Sequence, residues 1–215
     1  MLAKRKQALL IQLAQLYPEP KSELNFRNEY ELVISVVLSA QCTDKKVNDT
    51  TPALFKRYSN FKQLAAARVE DVEGIIREVN YYKTKSKNIV SLAQIVTDDY
   101  DGKLPETMEE LVELPGVGRK TANVVLGELG IEPSLAVDTH VFRVSKRLGI
   151  ATGDSPSDVE GCLKRAFPPE SWRDLHHQLI FHGRRVCKAR NPLCGECSLV
   201  DLCPSRPKPG RAGKN

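Results

Sequence analysis

No stretch of this sequence approaches the roughly 20 consecutive apolar residues that a membrane-spanning helix requires, so a helical membrane protein is excluded as a class. Clean period-two alternation bounded by turn residues is also missing, which argues against a β-rich fold. The N-terminal Lys4-Arg5-Lys6 precedes an apolar Ala8-Leu9-Leu10-Ile11. Gln12 and Gln15 interrupt that run and no small-residue cleavage site follows, so it reads as an amphipathic helix and not as a signal peptide. There is no internal repeat. Neither sign of charge dominates: 32 Lys and Arg stand against 27 Asp and Glu, a net charge of +5, compatible with a polyanionic partner without requiring one. With 215 residues the chain can bury a real core in one large domain or two small ones. A soluble, cytoplasmic, globular protein with no membrane partner is expected.

Helical periodicity fills the chain. Tyr30, Val33 and Val37, with Leu32, Ile34, Val36 and Leu38, make a helix apolar on nearly every side, which predicts a central, buried position. Val69, Val72, Ile75, Ile76 and Val79 mark a second helix. After a turn expected at Tyr81-Tyr82-Lys83-Thr84, Ile89, Leu92, Ala93 and Val96 mark a third. Thr107 with Glu110 three residues on, shortly after Pro105, is a capping-box signature that opens a helix ending near Leu114. Ser155, with Pro156 at the first helical position and Asp158, opens another, and Leu148-Gly149 reads as the stop before it. Residues 204–215 differ. Pro204, Pro207, Pro209, Gly210 and Gly213 mix there with Lys and Arg without an apolar pattern, and this basic tail is expected to be flexible.

Leu114-Pro115-Gly116-Val117-Gly118-Arg119-Lys120-Thr121-Ala122 lies between the Thr107 helix and an apolar one through Val124, Val125 and Leu126. Two helices joined by Pro-Gly-Val-Gly form a tight hairpin whose glycines let backbone N–H groups face outward with no side chain in the way. At a helix start such groups form an anion site suited to one DNA phosphate; an ordinary helix–turn–helix corner is the plainer alternative. Lys120 falls in the first turn of the second helix. The positive end of the helix dipole, together with partial burial, would lower its pKa there and leave a nucleophilic amine. A solvated lysine on a phosphate is the alternative. Asp138, just ahead of the apolar-periodic Val141, Phe142 and Val144, suits a helix N-cap as well as a catalytic carboxylate. His140 is read as structural.

Six cysteines are present. Cys42 and Cys162 stand alone in apolar helical patterns and are expected to be buried small hydrophobes. Cys187, Cys194, Cys197 and Cys203 crowd into one short segment, which in an intracellular chain points to a metal centre and away from disulfides. Pro192, Gly195 and Pro204 supply turns that let one loop present four sulfurs. Four thiolates close a tetrahedral zinc site or hold a [4Fe–4S] cube, and spacing alone leaves both open. Arg184, Arg185, Lys188 and Arg190 would set a basic loop beside the metal, able to follow a DNA backbone.

The hairpin at 114–122, Val137-Asp138-Thr139-His140, the terminal cysteine quartet and Ser39-Ala40-Gln41-Cys42-Thr43-Asp44, in this order and spacing, resemble bacterial endonuclease III from about residue 20 to Cys203. The resemblance implies an all-α, two-lobed helix-hairpin-helix DNA glycosylase fold. One lobe would be a six-helix domain over residues 22–132, the other an iron–sulfur helical domain made of residues 1–21 and 133–203. It implies a [4Fe–4S] cluster on Cys187, Cys194, Cys197 and Cys203, and a monomer acting on double-stranded DNA that carries damaged pyrimidines or abasic sites. Lys120 would attack C1′ of a nucleotide flipped out of the duplex, with Asp138 assisting, and β-elimination through a Schiff base would then cut the strand 3′ to the abasic site. DNA contacts are implied for Gly116, Val117, Gly118, Arg119 and Thr121 of the hairpin, for Gln41 in the gap left by the flipped base, and for Tyr81.

Tyr81 departs from the family. Asn80-Tyr81-Tyr82 stands where Gly-Leu-Tyr is common, so an aromatic ring replaces an aliphatic wedge, and Tyr81 suits the core equally. Related adenine glycosylases have a non-lysine residue where Lys120 stands and an additional C-terminal domain. Two readings belong to other classes. A non-enzymatic DNA-binding module with structural zinc leaves Lys120 with Asp138 a coincidence, and an electron carrier explains the cysteines alone.

Overall fold

The computed structural model describes residues 2–206; of the tail expected from 204 on, residues 207–215 lie outside them. The fold is all-α, with no strand among the described residues. None of the described helices is long and apolar enough to cross a membrane. The chain forms two compact units, one of residues 22–132 and one joining the residues up to Lys21 to those from Pro133 on. Each has its own buried core.

In the unit of residues 22–132 the helices are α2 (Glu29–Ser39), α3 (Asp44–Arg57), α4 (Phe61–Ala65), α5 (Val69–Ile76), α6 (Tyr82–Asp99), α7 (Met108–Glu113) and α8 (Arg119–Leu129). Where six helices are expected, seven segments form, because Asn60 caps the five-residue α4 by accepting the Gln63 N–H. Helix α2 is buried from Tyr30 through Leu38, as its all-round apolar pattern demands, and packs against α3, α6 and α8. Truncating one of its fully buried leucines to alanine would cost about 2–5 kcal/mol. Asn28 caps its start, accepting the Glu31 N–H at 2.9 Å. Tyr30 meets Phe55 and Phe61 edge to face at 5.6 and 5.0 Å and donates its hydroxyl proton to the Tyr58 carbonyl. The turn expected at 81–84 comes earlier. Tyr81 takes a left-handed backbone and α6 already starts at Tyr82, while Val79, though buried, lies beyond the end of α5. Thr107 accepts the Glu110 N–H, but its hydroxyl donates to the Glu110 carboxylate, which takes the place of the carboxylate bond to the N-cap backbone that a full capping box has.

The other unit holds α1 (Leu2–Leu16), α9 (Thr139–Arg147), α10 (Pro156–Ala166) and α11 (Trp172–Arg185), with short 3-10 turns at Pro169–Ser171, Cys194–Glu196 and Val200–Leu202. Leu9 and Leu13 of α1 are fully buried, and α1 lies on α11, which also packs against α9. Arg5 joins distant segments, donating to the carbonyls of Leu148, Gly149 and Leu202 at 2.8–3.0 Å. Ser155 and Asp158 complete the reciprocal capping box that opens α10, and α9 ends before Leu148-Gly149. Cys42 and Cys162, expected as buried hydrophobes, are only half-buried. Hydrogen bonding with Thr152 pulls the Cys162 thiol below its ordinary pKa.

Candidate functional site

Between α7 and α8 the chain turns through Leu114–Gly118. The Val117 N–H donates to the Leu114 carbonyl at 3.0 Å, and the Val117 side chain is buried, which anchors the turn. Gly116 has φ +84, and a Cβ there would lie 3.0 Å from Asn88 Nδ2 and 3.1 Å from Val37 Cγ1. Backbone and space both demand glycine. Gly118 is the extended N-cap residue of α8, no side chain caps that helix, and a Cβ on Gly118 would meet nothing within 4 Å. The first-turn N–H groups are thereby left to an external oxygen atom, at the positive end of the helix dipole. Arg119 and Lys120 are exposed and Thr121 is half-buried. The partial burial expected for Lys120 is therefore missing, and its first-turn position is what the fold provides.

Asp138 belongs to the other unit, where it is the N-cap of α9 and accepts the Val141 N–H at 2.7 Å. The segment leading into it is held by His176, whose Nδ1–H donates to the Ala136 carbonyl at 2.7 Å, and Leu135, Ala136 and Val137 are buried. His140 has a structural environment. Burial pushes its imidazole below the usual histidine value against the pull of Asp138, and Arg143 Nη2 lies 3.2 Å from its Nδ1.

Gln41 and Tyr81 both lie in the unit of residues 22–132, and both have left-handed backbones, at φ 53 and 58. Gln41 is exposed just past the C-cap of α2. Tyr81 is 66% exposed, so its ring belongs to the surface and not to the core. Two residues assigned no role from the sequence touch this place. Asn80 donates from its side-chain amide to the Gln41 carbonyl at 2.7 Å, and the buried Lys85 donates to the carbonyls of Leu38 and Ala40 at 2.8 and 2.6 Å. A signal for Lys85 was present, since it stands on the same helical stripe as Ile89, Leu92 and Val96. A lysine in register with a buried face must find acceptors.

The four clustered cysteines are half-buried and line a cavity of about 270 Å³ together with Arg147, Leu148, His182, Val186 and Leu193 among others. One tetrahedral zinc would draw four sulfurs to about 2.3 Å of a single point, whereas no three His, Cys, Asp or Glu side chains among the described residues converge on one ion. Sulfurs ranged around a hollow fit a polynuclear cluster. Burial pushes the Cys197 and Cys203 thiols up, so the thiolate forms need a bound cation. Arg147 donates to Cys187 Sγ at 3.5 Å and to the carbonyls of Lys188 and Ala189. His182 Nε2 lies 3.6 Å from Cys197 Sγ, and its Nδ1 lies 3.1 Å from the Tyr17 hydroxyl. A ligating thiolate can only accept, which places the imidazole proton on Nε2 and makes Tyr17 the donor to Nδ1. Burial holds that imidazole neutral, pushed down to about 4. Arg184, Arg185, Lys188 and Arg190 are exposed beside this loop.

Residues 34–169 match the HhH-GPD superfamily base excision DNA repair protein family, and residues 187–203 match the iron–sulfur binding domain of endonuclease III. The endonuclease III of Synechocystis sp. is 43% identical over 95% of this chain and 95% of its own length. A solved covalent endonuclease III–DNA intermediate, trapped with an estranged adenine, shares the fold with a TM-score of 0.87 at 45% identity, covering 93% of this chain and 96% of that one. A non-covalent endonuclease III–DNA complex gives a TM-score of 0.89 at 44% identity, covering 94% and 95%. The cysteine loop is thus an iron–sulfur loop, and its cofactor is a [4Fe–4S] cluster. At this identity and over this length, the chain belongs to the endonuclease III family of HhH-GPD base excision DNA repair proteins.

Proposed function

We propose that this protein is a bifunctional DNA N-glycosylase and AP lyase that acts as a monomer, removes oxidised pyrimidines from double-stranded DNA and cuts the strand 3′ to the abasic site. The observation that carries the reading is the placement of Lys120. It is an exposed lysine in the first turn of α8, directly after a glycine turn whose N–H groups no side chain caps. A backbone phosphate held on those N–H groups brings a neighbouring deoxyribose within reach of a flexible four-carbon amine. The solved endonuclease III–DNA intermediate is itself covalent, which supports a bond between protein and DNA.

The glycosidic bond is shielded inside the duplex, so the nucleotide first leaves the stack. The lone pair of Lys120 Nζ then bonds to C1′ while the C1′–N1 bond breaks, and the base departs with its electrons and takes up a proton. Opening of the C1′–O4′ bond leaves a protonated imine. Its positive charge acidifies the C2′ proton; removal of that proton forms a C2′–C3′ double bond and expels the 3′ phosphate oxygen. Asp138 serves as the carboxylate that takes a proton from the amine and offsets positive charge developing on the sugar. Gln41 and Tyr81 occupy the space vacated by the flipped base, a role that fits their exposure. A [4Fe–4S] cluster bound to Cys187, Cys194, Cys197 and Cys203 holds the shape of the basic loop and takes no part in the covalent steps.

Borohydride reduces an imine to a stable amine, so it should cross-link the protein to DNA carrying an abasic site or an oxidised pyrimidine. Lys120→Ala should abolish that cross-link, and a cross-link that persists would end the assignment. Affinity for duplex DNA should also fall steeply with added salt, as phosphate contacts release counterions.

A further inference from the structure

Four of the described residues other than glycine have left-handed backbones: Gln41, Tyr81, Asp101 and Asn191. Asp and Asn tolerate that region, whereas glutamine and tyrosine rarely enter it and keep it only where their surroundings impose it. The surroundings that impose it here are specific. Asn80 Nδ2 donates to the Gln41 carbonyl at 2.7 Å, linking two loops 39 positions apart. Lys85 Nζ donates to the carbonyls of Leu38 and Ala40, at the C-terminus of α2 where carbonyls lack partners within the helix. The Cys42 N–H donates to the Ser39 carbonyl at 3.0 Å. Every carbonyl from Leu38 to Gln41 thus accepts a bond, and each acceptor–donor pair narrows the freedom of Gln41. On the other loop the Tyr81 carbonyl accepts the Lys85 N–H at 3.0 Å. The first turn of α6 therefore carries the buried ammonium and adjoins both the amide clamp and a ring that is 66% exposed.

We propose that Asn80 and Lys85 are positioning residues that join Gln41 and Tyr81 into one rigid two-pronged wedge, and that Asn80 sets how strongly excision depends on the base opposite the lesion. The inference rests on the reading above in which Gln41 and Tyr81 enter the DNA. A wedge keeps a nucleotide extruded only if it resists being pushed back, and a prong already held in its strained backbone loses little freedom on insertion. The Gln41 amide offers one donor group and one acceptor, so it tells one opposing base from another only when its register is single-valued. A glycine at position 80 could not make the bond to Gln41, and the prongs would then move independently.

The test uses the full holoprotein and the exposed Asn80, whose replacement leaves the core intact. Asn80→Gly removes the donor, and Asn80→Asp keeps its shape while turning it into an acceptor that repels the Gln41 carbonyl. Single-turnover excision is measured on duplexes with one oxidised pyrimidine opposite each of the four bases, with borohydride trapping on a preformed abasic site in parallel. Both variants should slow excision about fivefold, the weight of one ordinary hydrogen bond, and narrow the spread between opposite bases. Trapping at the abasic site and the melting temperature should stay within about twofold and within error of wild type. Unchanged spread in both variants, with wild-type trapping intact, overturns the inference alone. Failure of the wild-type protein to trap at all removes the functional reading and the inference with it.

Discussion

Asp138 is at once a helix cap and the proposed catalytic carboxylate, and one substitution separates the two. Asparagine caps a helix about as well as aspartate, so Asp138→Asn preserves the bond to the Val141 N–H, 2.7 Å long in the native protein, while removing the charge. Its melting should match wild type, and excision should fall by about 100-fold or more, the scale of a positioned acid–base group. Asp138→Ala should add a loss of about 1 kcal/mol in stability from the missing cap. Thermal denaturation and single-turnover rates on the same preparations decide the matter, and an active Asn variant would remove the catalytic role. Individual residues also show where local pattern stops being informative. Asp138 was legible as a cap because capping is a property of a few consecutive residues. The bond from Asn80 to Gln41 joins loops distant in sequence, and no local rule contains it.

Among the elements, the hairpin before α8 offers a paired comparison. Gly116 sits at φ +84 with Asn88 and Val37 against the place of its absent Cβ, whereas Gly118 has open space there. Gly116→Ala should therefore destabilise the fold by at least about 1–2 kcal/mol from backbone strain alone. Gly118→Ala should leave stability nearly unchanged and weaken duplex binding, because its methyl group intrudes where a phosphate would approach the N–H groups. Urea denaturation with a salt titration of DNA affinity separates the two, and equal effects of both variants on stability would contradict the assignment. Helix existence was legible from apolar spacing in α2, α5 and α6 and from the Ser155-Pro156-Asp158 start signal in α10. Boundaries were less so: the α5–α6 turn came earlier than expected because Tyr81 adopts a left-handed backbone that its residue type disfavours.

The described residues form two buried cores, each confined to one unit, and three of the four clustered cysteines pack at the edge of only one of them. Cys187, Cys197 and Cys203 lie against the core built by α1, α9, α10 and α11, and Arg5 ties α1 to Leu202 within the loop. Oxidative loss or chelation of the cluster should therefore loosen that unit first. Amide hydrogen exchange should rise in α1 and α11 while α2 and α6 keep their protection, alongside loss of the visible absorption of the cluster. A uniform rise across both units would show that the two cores unfold together and would refute the local coupling.

The sequence by itself determined the all-α class, the helix starts at Thr107, Ser155 and Asp138 and the cysteine quartet, because each follows from residue types at short, regular spacing. It also carried the family resemblance, since order and spacing of motifs are linear properties. Tertiary structure alone decided that Lys85 reaches the carbonyls of Leu38 and Ala40, that Tyr81 faces outward, that Lys120 is exposed, and that the four clustered cysteines line one cavity. Those outcomes depend on which chain segments meet, and the free energy of such meetings is distributed over residues far apart in the sequence.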